Sequence, residues 1–185
     1  MIRKIVILNG NPDPDKFRLT VFLAELEERL VSSGLSVITH FLSEKKIKSC
    51  LGCWDCWLKT PGICRQKDDA EQVLKDAINA DLVVYASPLI MGMYSALLKN
   101  FQDRMIPLIH PYIEIENGES RHRKRYPNYP GAAVILERND ATLSEIENIK
   151  IIFQKMFKNF HGGIEVFEFI EETNPKEISY AISNI

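Results

Sequence analysis

Residues 3–20 read RKIVILNGNPDPDKFRLT, and the fold turns on how that stretch divides. RKIVIL, residues 3–8, is a run of Ile, Val and Leu without alternation, the pattern of a strand buried on both faces. Gly10 lets the chain turn, Pro12 and Pro14 stiffen the loop, and a helical pattern follows over residues 17–33. Phe22, Leu26 and Leu30 stand four apart with Leu19 and Leu23 beside them, one apolar stripe that Gly34 ends. A buried strand running through a short loop into an amphipathic helix is half of a βαβ unit.

The unit repeats along the chain. LSVITHF (35–41), DLVVYAS (81–87, stopped by Pro88), GAAVILE (131–137) and IEVFEFI (164–170) read as four more strands. Asp68 and Asp69 can cap a helix whose Val73, Leu74, Ala77 and Ile78 share a face. Ser95 opens a helix with Leu97, Phe101 and Met105. Thr142 and Glu145 form a capping box for a helix carrying Ile146, Ile149, Phe153, Phe157 and Phe160 inward, and Gly162 and Gly163 end it. A short polar helix closes the chain. Residues 107–130, with four prolines and the charge run ESRHRKRY, interrupt the rhythm and read as a long loop or insertion.

Alternating β and α elements predict an α/β, flavodoxin-like three-layer sandwich with a five-stranded parallel sheet of order 2-1-3-4-5. Residues 1–185 read as one domain with a Cys-rich loop at 48–67. A net charge of −2 gives no basic field for nucleic acid or an anionic membrane. The N-terminal apolar run is too short to span a bilayer and has no secretory cleavage pattern, so a cytoplasmic location with reduced thiols is expected.

In that sheet order, ligands sit at the carboxyl ends of the strands, where the loops after the first, third and fourth strands converge. The first loop offers the free N–H groups of a helix N-terminus beside Lys16, Arg18 and Thr20, an anion site or a plain Pro-rich turn. The second, ASPLIMGMYSALLKN (86–100), offers apolar side chains and Gly92 for close approach of a flat ligand, or simply core. The third, ERND (137–140), reads as solvated at its strand end, with ring contact by Glu137 and Arg138 the other reading.

The pairing of NGNPDPDKFR with SPLIMGMYSALLKNFQDR resembles the flavodoxin-like NAD(P)H-dependent FMN reductases and quinone reductases. CLGCWDCWLKTPGICRQKDD is similar to the Cys-rich segment of the iron–sulfur flavoprotein and multimeric flavodoxin branch of that superfamily. The resemblance implies FMN, with its phosphate held by Asn11, Lys16, Phe17, Arg18 and Thr20 and its ring on Pro88, Leu89, Ile90, Met91 and Gly92. Family members usually have Ser or Asn at several phosphate-loop positions, where this chain has Lys16, Phe17 and Arg18. The resemblance also implies a homodimer or homotetramer, with the 107–130 insertion as the contact.

All four cysteines fall in one stretch with the spacing C-x2-C-x2-C-x7-C, through Cys50, Cys53, Cys56 and Cys64. The readings are a 4Fe–4S cluster, a structural zinc, a Cys53–Cys56 redox pair, or reduced thiols in a loop that Trp54 and Trp57 help close over a flavin. The run ESRHRKRY could meet the 2′-phosphate of NADPH but reads as a solvated face, and the four histidines are scattered, with His161 in the last turn of its helix, where positive charge is favourable. The expected function is an FMN-binding oxidoreductase passing electrons from NAD(P)H to a quinone, another small molecule or a protein. No side chain need act as acid or base, so no catalytic residue is assigned. The alternatives are an FMN plus 4Fe–4S electron-transfer protein and a non-enzymatic binding domain on the same fold.

Overall fold

In the computed structural model, which describes residues 2–185, the chain alternates as expected. It runs β1 (Lys4–Asn9), α1 (Leu19–Ser32), β2 (Ser36–Phe41), α2 (Asp55–Leu58), α3 (Ala70–Ile78), β3 (Leu82–Ile90), β4 (Met93–Tyr94) and α4 (Ala96–Asp103). Then follow β5 (Ile109–Glu116), β6 (Glu119–Lys124), β7 (Gly131–Glu137), α5 (Leu143–Asn159), β8 (Ile164–Phe169) and α6 (Pro175–Ser183). The sheet order is β2-β1-β3-β7-β8, all parallel, which is the doubly wound arrangement read from the sequence.

The continuous apolar runs are explained by two cores. On β1, Ile5 and Ile7 face one layer and Val6 and Leu8 the other, all without exposed surface. Leu19, Leu23, Leu26 and Leu30 of α1 and Ile178 and Ile182 of α6 cover the first face. Val73 of α3, Leu98 and Phe101 of α4, and Phe153 and Phe157 of α5 cover the second. Ser95 Oγ accepts from Leu98 N at α4, and Thr142 and Glu145 form the box at α5, both as read. At α3 only Asp68 accepts from the helix, at Ala70 N, and Asp69 accepts from Lys46 N instead.

Three local expectations change. Pro88 does not end β3. The strand runs on because Leu89 and Ile90 pair antiparallel with Tyr94 and Met93, across a two-residue turn with φ +51° at Met91 and +73° at Gly92. Positive φ at both central positions is the hairpin geometry that matches strand twist. Residues 107–130 are not a bare loop: β5 and β6 form a separate antiparallel hairpin, turned at Asn117 and Gly118, both with positive φ. Its basic strand is neutralised from within, since Arg121 pairs with Glu114 and Glu116 of β5. His161, expected to favour charge at a helix end, lies beyond α5 with its pKa lowered by burial, then by Arg121 and Lys124. Its Nε2 sits 2.6 Å from the His122 carbonyl and must donate there, which ties α5 to the hairpin.

Candidate functional site

The carboxyl edge of the sheet is knitted together around Gly10. Gly10 N donates to Ala86 O at 2.8 Å, and a Cβ there would meet Ala86 O and Leu98 Cβ at 2.9 Å. Glycine is required for that approach of β1 to β3 and α4. Ser95 Oγ donates to Gly10 O at 2.5 Å, and Ser87 Oγ accepts from Ser95 N at 2.8 Å. The first and second loops are thus brought together as the sheet order implied.

Within the first loop the expected anion donors other than Lys16 already have partners. Asn11 is buried; its Nδ2 donates to Thr20 Oγ1 at 2.7 Å and its Oδ1 accepts from Asp13 N at 3.0 Å. Phe17 is buried, while Lys16 is exposed with its ammonium over the Phe17 ring. The open end of α1 is closed by Glu137 from the end of β7. Its carboxylate accepts from Arg18 N at 3.3 Å and Leu19 N at 3.0 Å. Glu137 is only 4% exposed, which corrects the reading of it as solvated. Arg18 reaches Glu137 at 3.5 Å and Glu171 at 3.3 Å. As arranged, these residues do not fit a phosphomonoester, because a carboxylate holds the N–H groups that an anion would take.

The second loop presents a surface. Pro88 and Leu89 are buried, whereas Ile90 and Met91 project, Met91 being 96% exposed at the tip of the turn. Asn139 Nδ2 donates to Leu89 O at 2.9 Å, and a Cβ on Gly92 would collide with the Glu145 carboxylate. Gly92 therefore serves packing against α5 as well as the turn. An apolar, backbone-rich tip of this kind suits the face of a flat ring.

The Cys-rich segment is held at both ends by residues outside it. Asp68 accepts from Lys48 N, and Asp69 accepts from Lys46 N, at 3.1 and 2.7 Å. Gln66 Nε2 donates to Ser49 O at 2.9 Å. Arg104, at the end of α4, donates to Lys48 O at 2.6 Å, to Asp68 at 2.7 and 3.1 Å, and to Cys64 Sγ at 3.4 Å. Burial opposes the Arg104 charge, but the hydrogen-bonded Asp68 and the Cys64 sulfur outweigh it and raise the guanidinium pKa. Burial likewise opposes charge on Asp68, but Arg104 and the Lys48 N–H prevail and hold its pKa below the usual value. Trp57 Nε1 donates to Ile106 O and Ile109 O, both at 3.0 Å, and Trp54 stacks on Trp57 with ring centroids 4.9 Å apart. The segment is thereby docked on the base of the hairpin. Gly52, Trp54 and Gly62 take positive φ, which folds the stretch back on itself.

Cys50, Cys53, Cys56 and Cys64, all free thiols, line one small and almost wholly apolar cavity with Trp54 and Arg104. Burial and then the three other thiols push the Cys56 pKa up to about 11. Among the described residues no three ligating side chains stand at the spacing of a single metal ion. The cavity that the cysteines share is about 20 Å³, and four thiols in one stretch are the donor set from which iron–sulfur sites are built. A cleft of about 750 Å³ runs from Ser49, Cys50 and Gly52 along α4 to Tyr94 and Ala96, with His122 of β6 and Met156 of α5 as its far wall.

Neither the pairing of Arg104 nor the capping of α1 by Glu137 is legible in the sequence. Arg104 closes the quoted FQDR, but nothing local says where its fork points. Glu137 ends an all-apolar strand, and a strand buried on both faces gives no alternation from which to orient its last side chain.

The chain is 31% identical over 105 residues to an iron-sulfur flavoprotein of Methanocaldococcus jannaschii, covering 57% of this chain and 53% of that one. It is 38% identical over 92 residues to an iron-sulfur flavoprotein of Archaeoglobus fulgidus, covering 50% and 39%. The match thus spans about half or less of these curated relatives. The fold matches an FMN-dependent NADH-azoreductase of Bacillus anthracis, solved with FMN, at a TM-score of 0.62 and 14% identity, covering 99% of this chain and 95% of that one. The profile described as NADPH-dependent FMN reductase matches residues 3–138, spanning β1 through β7 and both loops described above. By that match the chain belongs to the NADPH-dependent FMN reductase family.

Proposed function

We propose that the chain is a flavin-dependent oxidoreductase that moves electrons from NAD(P)H to a quinone, another small acceptor or a protein, and that its four cysteines hold a 4Fe–4S cluster. The observation that carries this reading is the cavity lined by Cys50, Cys53, Cys56 and Cys64, whose Cys50 also lines a larger cleft that reaches Tyr94, the strand partner of Leu89. A flavin supplies hydride acceptance and one-electron release, and a cluster supplies one-electron transfer. The protein's own part is to offer the apolar tip at Ile90 and Met91 to a ring face. Trp54, stacked on Trp57, walls the cysteine cavity, and Arg104 aims an N–H at Cys64. The names of the archaeal relatives support the pairing of flavin and cluster.

Purification without oxygen, followed by iron and sulfide analysis and a visible spectrum after adding flavin, tests the reading. About four irons per chain are expected, together with flavin uptake and flavin-dependent NAD(P)H oxidation. Iron below about one atom per chain would remove the cluster. Failure to take up any flavin would remove the oxidoreductase.

Glu137 at the end of α1 favours a second reading, a binding domain on this fold without flavin. Tight binding of another ligand with no flavin uptake would select it. Thiols kept reduced agree with a cytoplasmic location, and among the described residues no helix is long and apolar enough to cross a membrane. Copies of the chain are proposed to assemble through the β5–β6 hairpin.

A further inference from the structure

We propose that Glu137 is an internal anion occupying the phosphate seat of this fold, so that a flavin is held by its ring alone and riboflavin binds as well as FMN. The inference rests on the flavin reading above but concerns a different atom set.

Most of the donors that the first loop could turn toward a phosphate are engaged inside the chain, and among its side chains the Lys16 ammonium stays exposed, over the Phe17 ring. The N–H groups of Arg18 and Leu19 point at the Glu137 carboxylate, at 3.3 and 3.0 Å. Asn11 and Thr20 are bonded to each other. The Arg18 guanidinium is shared between Glu137 and Glu171, and Glu171 also accepts from Arg138 N at 3.0 Å. Phe17 is buried in the same loop and offers no donor from its side chain.

The energetic logic is that of a capped helix end. The first N–H groups of α1 have no partner within the helix, and a carboxylate there is favoured by hydrogen bonding and by the helix dipole. No side chain of the loop itself caps α1, so Glu137 does so from 118 residues away. A phosphomonoester carries about two negative charges at neutral pH. To reach these N–H groups it must displace a buried carboxylate or lie against it, with Glu171 as a second carboxylate at the rim. Either route removes the advantage that a phosphate gives in a seat of bare N–H groups. The ring surface at residues 88–92 is untouched by this competition. Flavin held in that way exchanges freely and behaves as a substrate rather than as a resident group.

The test is titration of flavin-free protein with FMN, with riboflavin and with inorganic phosphate, for the native chain and for Glu137→Ser and Glu137→Gln. Serine frees the N–H groups. Glutamine keeps a hydrogen-bond acceptor at α1 while removing the charge, so it reads the repulsion even where the serine variant folds poorly. In the native chain the two flavins should bind within about threefold of each other, and phosphate should leave the melting temperature unchanged. In the variants FMN should tighten by on the order of tenfold while riboflavin is unchanged, and phosphate should raise the melting temperature of the serine variant. A native chain that already prefers FMN by about tenfold, or variants that leave the ratio unchanged, would overturn the proposal. If neither flavin binds any form, the oxidoreductase reading falls and the phosphate titration decides alone. Stabilisation of the variant only supports the internal anion, whereas equal effects on both forms sink it.

Discussion

Arg104 is 2% exposed, yet its guanidinium satisfies a backbone carbonyl, a carboxylate and a thiol drawn from both ends of the Cys-rich segment. The Asp68 side chain that pairs with it is 3% exposed, so neither charge has water to fall back on. Removing one partner of such a pair strands the other, at a cost of about 3–5 kcal/mol. Arg104→Met should therefore destabilise the fold by that order in urea denaturation. The double variant Arg104→Met/Asp68→Leu should recover much of the loss, because no buried charge is left uncompensated. Additive losses would mean that the two side chains act separately. This pair was legible only in part. Asp68 was read as a helix cap, and it does accept from Ala70 N at 3.1 Å, but its second role depends on a residue 36 positions away. Long-range polar pairing leaves no periodic trace in sequence, and the capping of α1 by Glu137 is unreadable for the same reason.

The β5–β6 hairpin was hidden at the scale of elements by its prolines and its charge run. The signal was nonetheless present: IEIENGES, 113–120, alternates apolar and polar residues into an Asn-Gly pair, the strongest short hairpin signature. Pro111 lies where the register shifts between Ile109 and Ile113, so it costs the ladder little. Asn117 and Gly118 have φ of +53° and +79°, values that β-branched residues avoid. Gly118→Val should unravel the hairpin tip while leaving the parallel sheet intact. Hydrogen exchange should show faster amides across 109–124 and unchanged protection in β1, β3 and β7. Loss of protection in the sheet as well would show that the hairpin is integral to the core. The helices and parallel strands, by contrast, could be read directly, since the spacing of Leu19, Leu23, Leu26 and Leu30 states which face is covered.

At the scale of the whole molecule β/α alternation gives the parallel sheet, five strands suit the 2-1-3-4-5 order, and that order brings the first and second loops to one edge. Chemistry at the edge was less legible, because occupancy of a helix end depends on which side chain arrives there first. The cysteine segment shows the intermediate case: its spacing implied convergence, and the four thiols do line one cavity, but the docking on Ile106 and Ile109 came from Trp57. That docking bears on assembly. On the hairpin face that includes Ile113, Ile115 and His122, His122 packs near Trp57 at 5.2 Å, while Ile113 and Ile115 are 52% and 77% exposed. Tyr112, on the opposite face, is 63% exposed. Two isoleucines projecting together from a strand pair are an apolar surface that a second copy of the chain can cover. The hairpin salt bridges between Arg121 and Glu114 or Glu116 lie on the opposite face and would not be disturbed. Sedimentation of the native chain should therefore give a dimer or tetramer. Ile113→Glu with Ile115→Glu should shift it to the monomer without changing the melting curve of the sheet, since neither side chain belongs to either core. A native monomer, or an assembly unmoved by the two glutamates, would place the contact elsewhere or deny it.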